Sequence, residues 1–116
     1  MKDYIRDKIY TIGSHNILNK IFLPFKGKAG ILCYHRVVED FVINNEESPQ
    51  KNLLVSKQNF EDQVKYLKKY YEIISIGELK EHIHSNSKEF KVVITFDDGY
   101  KDNKEIALPI LEKYSI

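Results

Sequence analysis

The chain has 116 residues, 42% of them hydrophobic and 30% charged, which suits a single small globular domain or part of a larger one and leaves no room for a second. Eighteen Lys and Arg nearly cancel seventeen Asp and Glu, and the net charge of +1 provides no global attraction for nucleic acid. The single cysteine, Cys33, excludes an intramolecular disulfide framework and a multi-cysteine zinc knuckle, and no apolar run approaches the roughly 20 residues that span a bilayer.

Between Tyr4 and Phe22 the residues Tyr4, Ile5, Ile9, Ile12, Ile17, Leu18, Ile21 and Phe22 recur at near-helical spacing among Lys2, Arg6, Lys8 and Lys20, with a break near Gly13 and Ser14. A basic amphipathic helix of this kind either packs on the rest of the protein, the commoner use, or lies on an anionic membrane surface. The stretch lacks the apolar run and small-residue cleavage site of a signal peptide. The expectation is therefore a cytoplasmic protein, or one peripheral to a membrane through residues 4–22. "LPFKGKAG", with Pro24, Gly27 and Gly30, reads as a linker, so that residues 1–29 form a helix and linker ahead of a domain over residues 30–116.

"GILCYHRVV" predicts a first buried strand, with Cys33 inside it as a small hydrophobe. "EDFVINNEESPQKN" reads as a loop at that strand's carboxyl end. From Ser56 to Tyr71, Phe60, Val64, Leu67 and Tyr71 are spaced four, three and four apart, one apolar helical stripe with Ser56 as N-cap. "YEIISI" is a second strand, and "SIGE" offers a capping box between Ser75 and Glu78 that opens a short helix to His84. His82 and His84, in the polar "KEHIHSNS", read as exposed helix-end residues, and His15 as a surface residue. "KVVITF" is the third strand, followed by a helix from Asn103 to Tyr114 that Pro109 should bend. Strands alternating with helices predict an α/β fold with a parallel sheet. Three such strands leave an edge and a face open, and the chain stops two residues past Tyr114, so it reads as incomplete.

In "VVITFDDGYKDN" an apolar strand runs straight into Asp97 and Asp98, and Gly99 permits a sharp turn. That is the strand end at which α/β folds gather ligand and catalytic groups. Two adjacent carboxylates repel, and a site tolerates them where a cation neutralises one or where one keeps a proton for acid/base work. A solvated turn is equally rich in Asp and Gly, so the tripeptide alone leaves both readings open. Thr95 and Tyr100 read as supports for the turn.

"ILCYHRV", "FEDQVKYLKKYYEIISIGELKEHI" and "VVITFDDGYKDNKEIALPILEKYSI" together resemble the opening half of the polysaccharide deacetylase family, the NodB-type carbohydrate esterases, over about residues 30–116. The resemblance implies the N-terminal portion of a distorted (β/α) barrel with parallel strands, fewer than the eight of the regular form and incomplete in this chain. It implies hydrolysis of N-acetyl groups from amino-sugar polymers, of the kind found in bacterial surface polysaccharide, with a divalent metal, usually zinc. It assigns Asp97 as general base and Asp98 as metal ligand. The family's two histidine ligands, from a later His-Ser/Thr-x-x-His motif, are missing from this chain, as are its later arginine and acetate-pocket motifs. His35, in a "YH" that relatives share, is the candidate for lining the sugar site or hydrogen-bonding an aspartate, weighed evenly against a rim histidine of structural use only. Arg36 reads as solvated. The implied partners are an N-acetylated polysaccharide and no nucleic acid, and the isolated chain is expected to be inactive. A second reading is a non-catalytic carbohydrate-binding or interaction fragment that needs a complementary chain. A third is a receiver-type phosphotransfer domain, which leaves "YHRV" and "ALPIL" unexplained.

Overall fold

The computed structural model describes residues 27–45 and 49–116. The expected helix over residues 4–22, with its membrane contact, and His15 lie outside them. Among the described residues no helix is long and apolar enough to cross a membrane.

The elements follow as β1 (Ala29–Tyr34), β2 (Arg36–Val38), a short helix α1 (Asp40–Asn45), a 3-10 turn (Pro49–Leu53), β3 (Leu54–Ser56), α2 (Lys57–Tyr70), β4 (Glu72–Ile73), α3 (Ile76–His84), β5 (Lys91–Phe96), a π turn (Asn103–Ala107) and α4 (Leu108–Lys113). β1, β5 and β4 form a parallel sheet in that order, so β5 is its middle strand. The mixed α/β class with parallel strands is as predicted. The single strand expected over "GILCYHRVV" is instead two, because the chain leaves the main sheet at His35 and β2 pairs in parallel with β3 as a separate ladder. The segment read as a loop accordingly carries α1 and the 3-10 turn, and it delivers β3 to that ladder.

Local signals fix the helices. Ser56 caps α2 by accepting from the Asn59 amide at 3.2 Å, and Phe60 and Val64 are the residues of its stripe that become buried. The capping box forms at α3, with Ser75 N–H donating to Glu78 Oε2 at 2.8 Å and Glu78 N–H to Ser75 Oγ at 3.3 Å. Ahead of Pro109 the helix expected from Asn103 is interrupted by a wider turn. The Leu108 amide donates to Asn103 O, five residues back, and an ordinary helix restarts with the proline in its first turn, where a missing N–H costs nothing.

The core is a cluster of Val37, Phe60, Val64, Ala107 and Ile110, with Tyr34, Phe96 and Leu111 packed against it. Phe60 meets Tyr34 edge-on at 5.0 Å between centroids and Phe96 at 5.9 Å, and Tyr34 stacks on Phe96 at 5.7 Å. The core therefore lies under the carboxyl end of β1 and β5. The expectation for Cys33 fails: it is exposed, between Ile31 and Leu32 on one side of the sequence and Tyr34 on the other. Strand alternation explains it, since Tyr34 turns toward the core and Cys33 must face the opposite way.

Candidate active site at the carboxyl end of the sheet

The parallel register builds the site. Cys33 lies beside Thr95 and Tyr34 beside Phe96, and the ladder continues one step further, with the Asp97 amide donating to Tyr34 O at 2.8 Å. His35 and Asp97 therefore leave the sheet side by side, and His35 Nε2 stands 4.0 Å from Asp97 Oδ2. Because Tyr34 and Phe96 face the core, alternation sends Cys33, Thr95, His35 and Asp97 to the other face. There the Cys33 thiol, which donates to Tyr34 O at 4.0 Å, lies beside the Asp97 carboxylate, and this neighbour, with burial second, pushes the thiol above its ordinary range. Thr95 acts on the thiol in the opposite direction.

Asp97 and Asp98 are both exposed. Asp98 (φ 67°) and Gly99 (φ 61°) are consecutive left-handed residues, which turn the chain sharply away from β5. Gly99 was legible in the sequence as the turn residue. The left-handed Asp98 was not, although aspartate is among the few side chains that tolerate the conformation.

Two readings of charged residues are corrected. Arg36 is more than a solvated residue: with 37% of its side chain accessible, it donates to Asp102 Oδ2 at 2.8 Å and lies over the Tyr100 ring at 4.9 Å, so Tyr100 supports the turn through a cation–π contact. His82 is not exposed. Only 6% of it is accessible, and its Nε2 is hydrogen-bonded to Lys28 O at 3.1 Å, far from the aspartates at the amino end of the sheet. The polar letters around it hid the fact that His82 lies on the buried face of α3. His84 is exposed, as expected, with Nδ1 against Lys80 O.

Asp98 brings one carboxylate oxygen donor to the rim, suited to a divalent cation. Among the described residues no three of His, Cys, Asp and Glu converge to hold a metal ion. A metal centre built from the described residues alone does not fit, and Asp98 is a single ligand at most.

A carboxylate pair and a histidine thus meet at the carboxyl edge of a parallel sheet, and comparison with known proteins gives that arrangement its context. No family model matches the chain. A poly-beta-1,6-N-acetyl-D-glucosamine N-deacetylase of Staphylococcus aureus is 33% identical over 124 aligned positions, covering 93% of this chain and 42% of that protein. The crystal structure of a polysaccharide deacetylase from Bacillus cereus superposes with a TM-score of 0.57 at 32% identity, covering 77% of this chain and 26% of the other. IcaB from Ammonifex degensii gives 0.57 at 28% identity, covering 77% and 35%. Over most of its length the chain is similar to polysaccharide deacetylases, consistent with the N-terminal part of a NodB-type domain. It spans less than half the length of each of these relatives.

Proposed function

We propose that this chain carries part of the active site of a polysaccharide N-deacetylase, which hydrolyses N-acetyl groups on an amino-sugar polymer, and that the described sheet is an arc of a (β/α) barrel. The observation that supports the reading most directly is the register that sets His35 and Asp97 side by side at the rim with Asp98 next in the chain. The Staphylococcus aureus relative acts, by its name, on poly-β-1,6-N-acetylglucosamine. A polymer of that chemical class is the proposed substrate here.

Asp97 is the general base. Its exposed carboxylate takes the proton of the water that attacks the acetamide carbonyl. His35, at 4.0 Å, is placed to orient that carboxylate or to meet the sugar. Asp98 is the residue that would hold a divalent metal, zinc by family resemblance, and such an ion polarises the carbonyl and acidifies water when bound.

Acetate release from a β-1,6-linked N-acetylglucosamine oligomer, assayed with the product of the complete reading frame, tests the reading. Replacing Asp97 with Asn is expected to cut the rate by roughly 10²- to 10⁴-fold, and an undiminished rate removes Asp97 from the role of base. The 116-residue chain assayed alone is expected to release no acetate.

A second reading, an interaction fragment that needs a complementary chain, is supported by β1. It pairs only with β5 among the described residues, and Ile31 is 53% and Leu32 37% exposed along it. Copurification of a stoichiometric partner supports that reading, and a monomeric chain counts against it.

A further inference from the structure

Arg36 opens β2 one residue beyond His35, yet it grips the segment that follows the aspartates. Its Nε and Nη2 both donate to Asp102 Oδ2 at 2.8 Å, and its guanidinium carbon lies 4.9 Å from the centroid of Tyr100. One side chain thus holds two residues on the far side of the turn made by the left-handed Asp98 and Gly99. A non-glycine residue in that conformation persists only where its surroundings over-determine it. On the strand side the anchor is the Asp97 amide on Tyr34 O, at 2.8 Å. On the helix side it is the Asn103 amide on Tyr100 O, at 3.1 Å, together with Arg36.

The ion pair shields its carboxylate more than the pairs around it do, although the Arg36 side chain is itself 37% exposed. Lys101 and Glu105, one turn of helix apart, are 84% and 55% exposed, and such a pair adds little. The Asp102 side chain is only 12% exposed, and its Oδ1 is buried with no hydrogen-bond partner among the described residues. Both polar atoms of the neighbouring Asn103 side chain are in the same state. The carboxylate therefore depends on Arg36, and removing the guanidinium leaves an uncompensated buried charge beside the turn. The guanidinium also suits the place better than an ammonium, since it offers a fork of donors and a flat face for Tyr100.

We propose that Arg36 is a positioning residue for the Asp97–Asp98 turn. By holding Asp102 and stacking on Tyr100 it fixes the left-handed conformation of Asp98, and with it the direction in which the two carboxylates leave the rim. Its catalytic relevance rests on the deacetylase reading above, but the positioning itself is measurable without catalysis.

The experiment is NMR on the isotope-labelled 116-residue chain, comparing wild type with Arg36→Gln, Arg36→Lys and the double variant Arg36→Gln/Asp102→Asn. In Arg36→Gln the Asn103 amide is expected to exchange faster by on the order of ten-fold. Asp98 should also lose the strong intraresidue amide-to-Hα NOE of a left-handed residue. Once scaled by the change in global stability read from the melt, the amides of Asp97, Phe60 and Val64 are expected to keep their exchange rates. Lysine, which keeps the charge without the fork or the stack, is expected to restore the Asp98 signature only in part. The double variant removes the buried charge, so its melting temperature should return toward wild type while the Asp98 signature stays lost. Recovery of both would make the pair merely stabilising and would overturn the proposal, as would a folded Arg36→Gln chain with unchanged Asp98 and Asn103 signals. If Arg36→Gln does not fold, Tyr100→Leu, which removes only the stack, is judged by the same two signals. Failure of the acetate assay leaves these signals untouched, and failure here leaves that assay untouched.

Discussion

The two ends of the β1-β5-β4 sheet treat polar side chains in opposite ways. At the amino end Lys91 meets Glu72 at 2.9 Å, Ser75 and Glu78 satisfy each other, and the buried His82 is hydrogen-bonded to Lys28 O. A cavity of about 250 Å³ there is bordered by the ionisable residues Glu72, Glu78, Glu81, His82 and Lys91. At the carboxyl end two adjacent aspartates are exposed, and among the described residues the basic side chain in ion-pair range of Asp97 is His35, at 4.0 Å. A histidine and carboxylates at a strand end therefore do not by themselves mark a site. The difference lies in pairing: one end commits its charges to caps and ladders, and the other leaves carboxylates facing outward on a fixed frame.

The largest effect tests that frame. Phe60 is fully buried and touches both Tyr34 and Phe96, the residues that immediately precede His35 and Asp97. Phe60→Ala is expected to cost about 3–5 kcal/mol in urea unfolding. Next comes the amino end, where His82→Ala removes a buried hydrogen-bonding side chain, leaves Lys28 O without that partner, and should cost about 1–3 kcal/mol. A neutral His82→Ala breaks the comparison, because it would make that end no more structural than the other. Ser75→Ala, which removes the cap of α3, is expected to cost about 1 kcal/mol by the same measurement.

How much of this was legible in the sequence differs between the two ends. The capping box at Ser75 and the N-cap at Ser56 could be read directly, because caps are local chemistry between residues three apart. The strand end carrying Asp97, Asp98 and Gly99 was legible for the same reason, and family resemblance then assigned roles that the geometry alone does not test. The misreadings were tertiary. Cys33 looked like a core residue because its neighbours are apolar, but the face it occupies is set by where Tyr34 and Phe96 go. Arg36 found Asp102 across 66 positions of sequence, a distance at which spacing carries no signal. His82 sits among polar letters, yet helical phase turns it inward, while the apolar Ile83 beside it is exposed and His84 points to solvent. The split of the first strand at His35 needed β3 as a partner, and β3 is too short to be seen as a strand from its own residues.

Acid sharpens the distinction between paired and unpaired carboxylates. Glu61, on α2, accepts from Lys113 Nζ at 2.8 Å and from the Tyr114 hydroxyl at 2.6 Å, and these contacts, Lys113 foremost, lower its pKa from 4.5 to about 2. A carboxylate with a folded-state pKa below its unfolded value stabilises the fold above the unfolded value, and that contribution fades as pH falls from about 4.5 to about 2. Glu78, lowered by its bonds to Ser75, adds to the same loss. Thermal melts across this range are expected to fall more steeply for wild type than for Glu61→Gln, and equal slopes would remove Glu61 from the account.

The smallest expected effect on stability belongs to the aspartates themselves. Asn at position 97 or 98 keeps the shape of the side chain, removes one of two like charges, and at 98 tolerates the left-handed backbone as well as Asp does. Either single variant should unfold within about 0.5 kcal/mol of wild type, as substitutions away from buried contacts do, or be slightly more stable through relief of repulsion. Set beside the loss of rate proposed for Asp97→Asn, that indifference would separate a group kept for chemistry from one kept for the fold. A cost above about 1 kcal/mol for either would mean that the pair is a structural device of the turn, and the carboxyl end would then resemble the amino end after all.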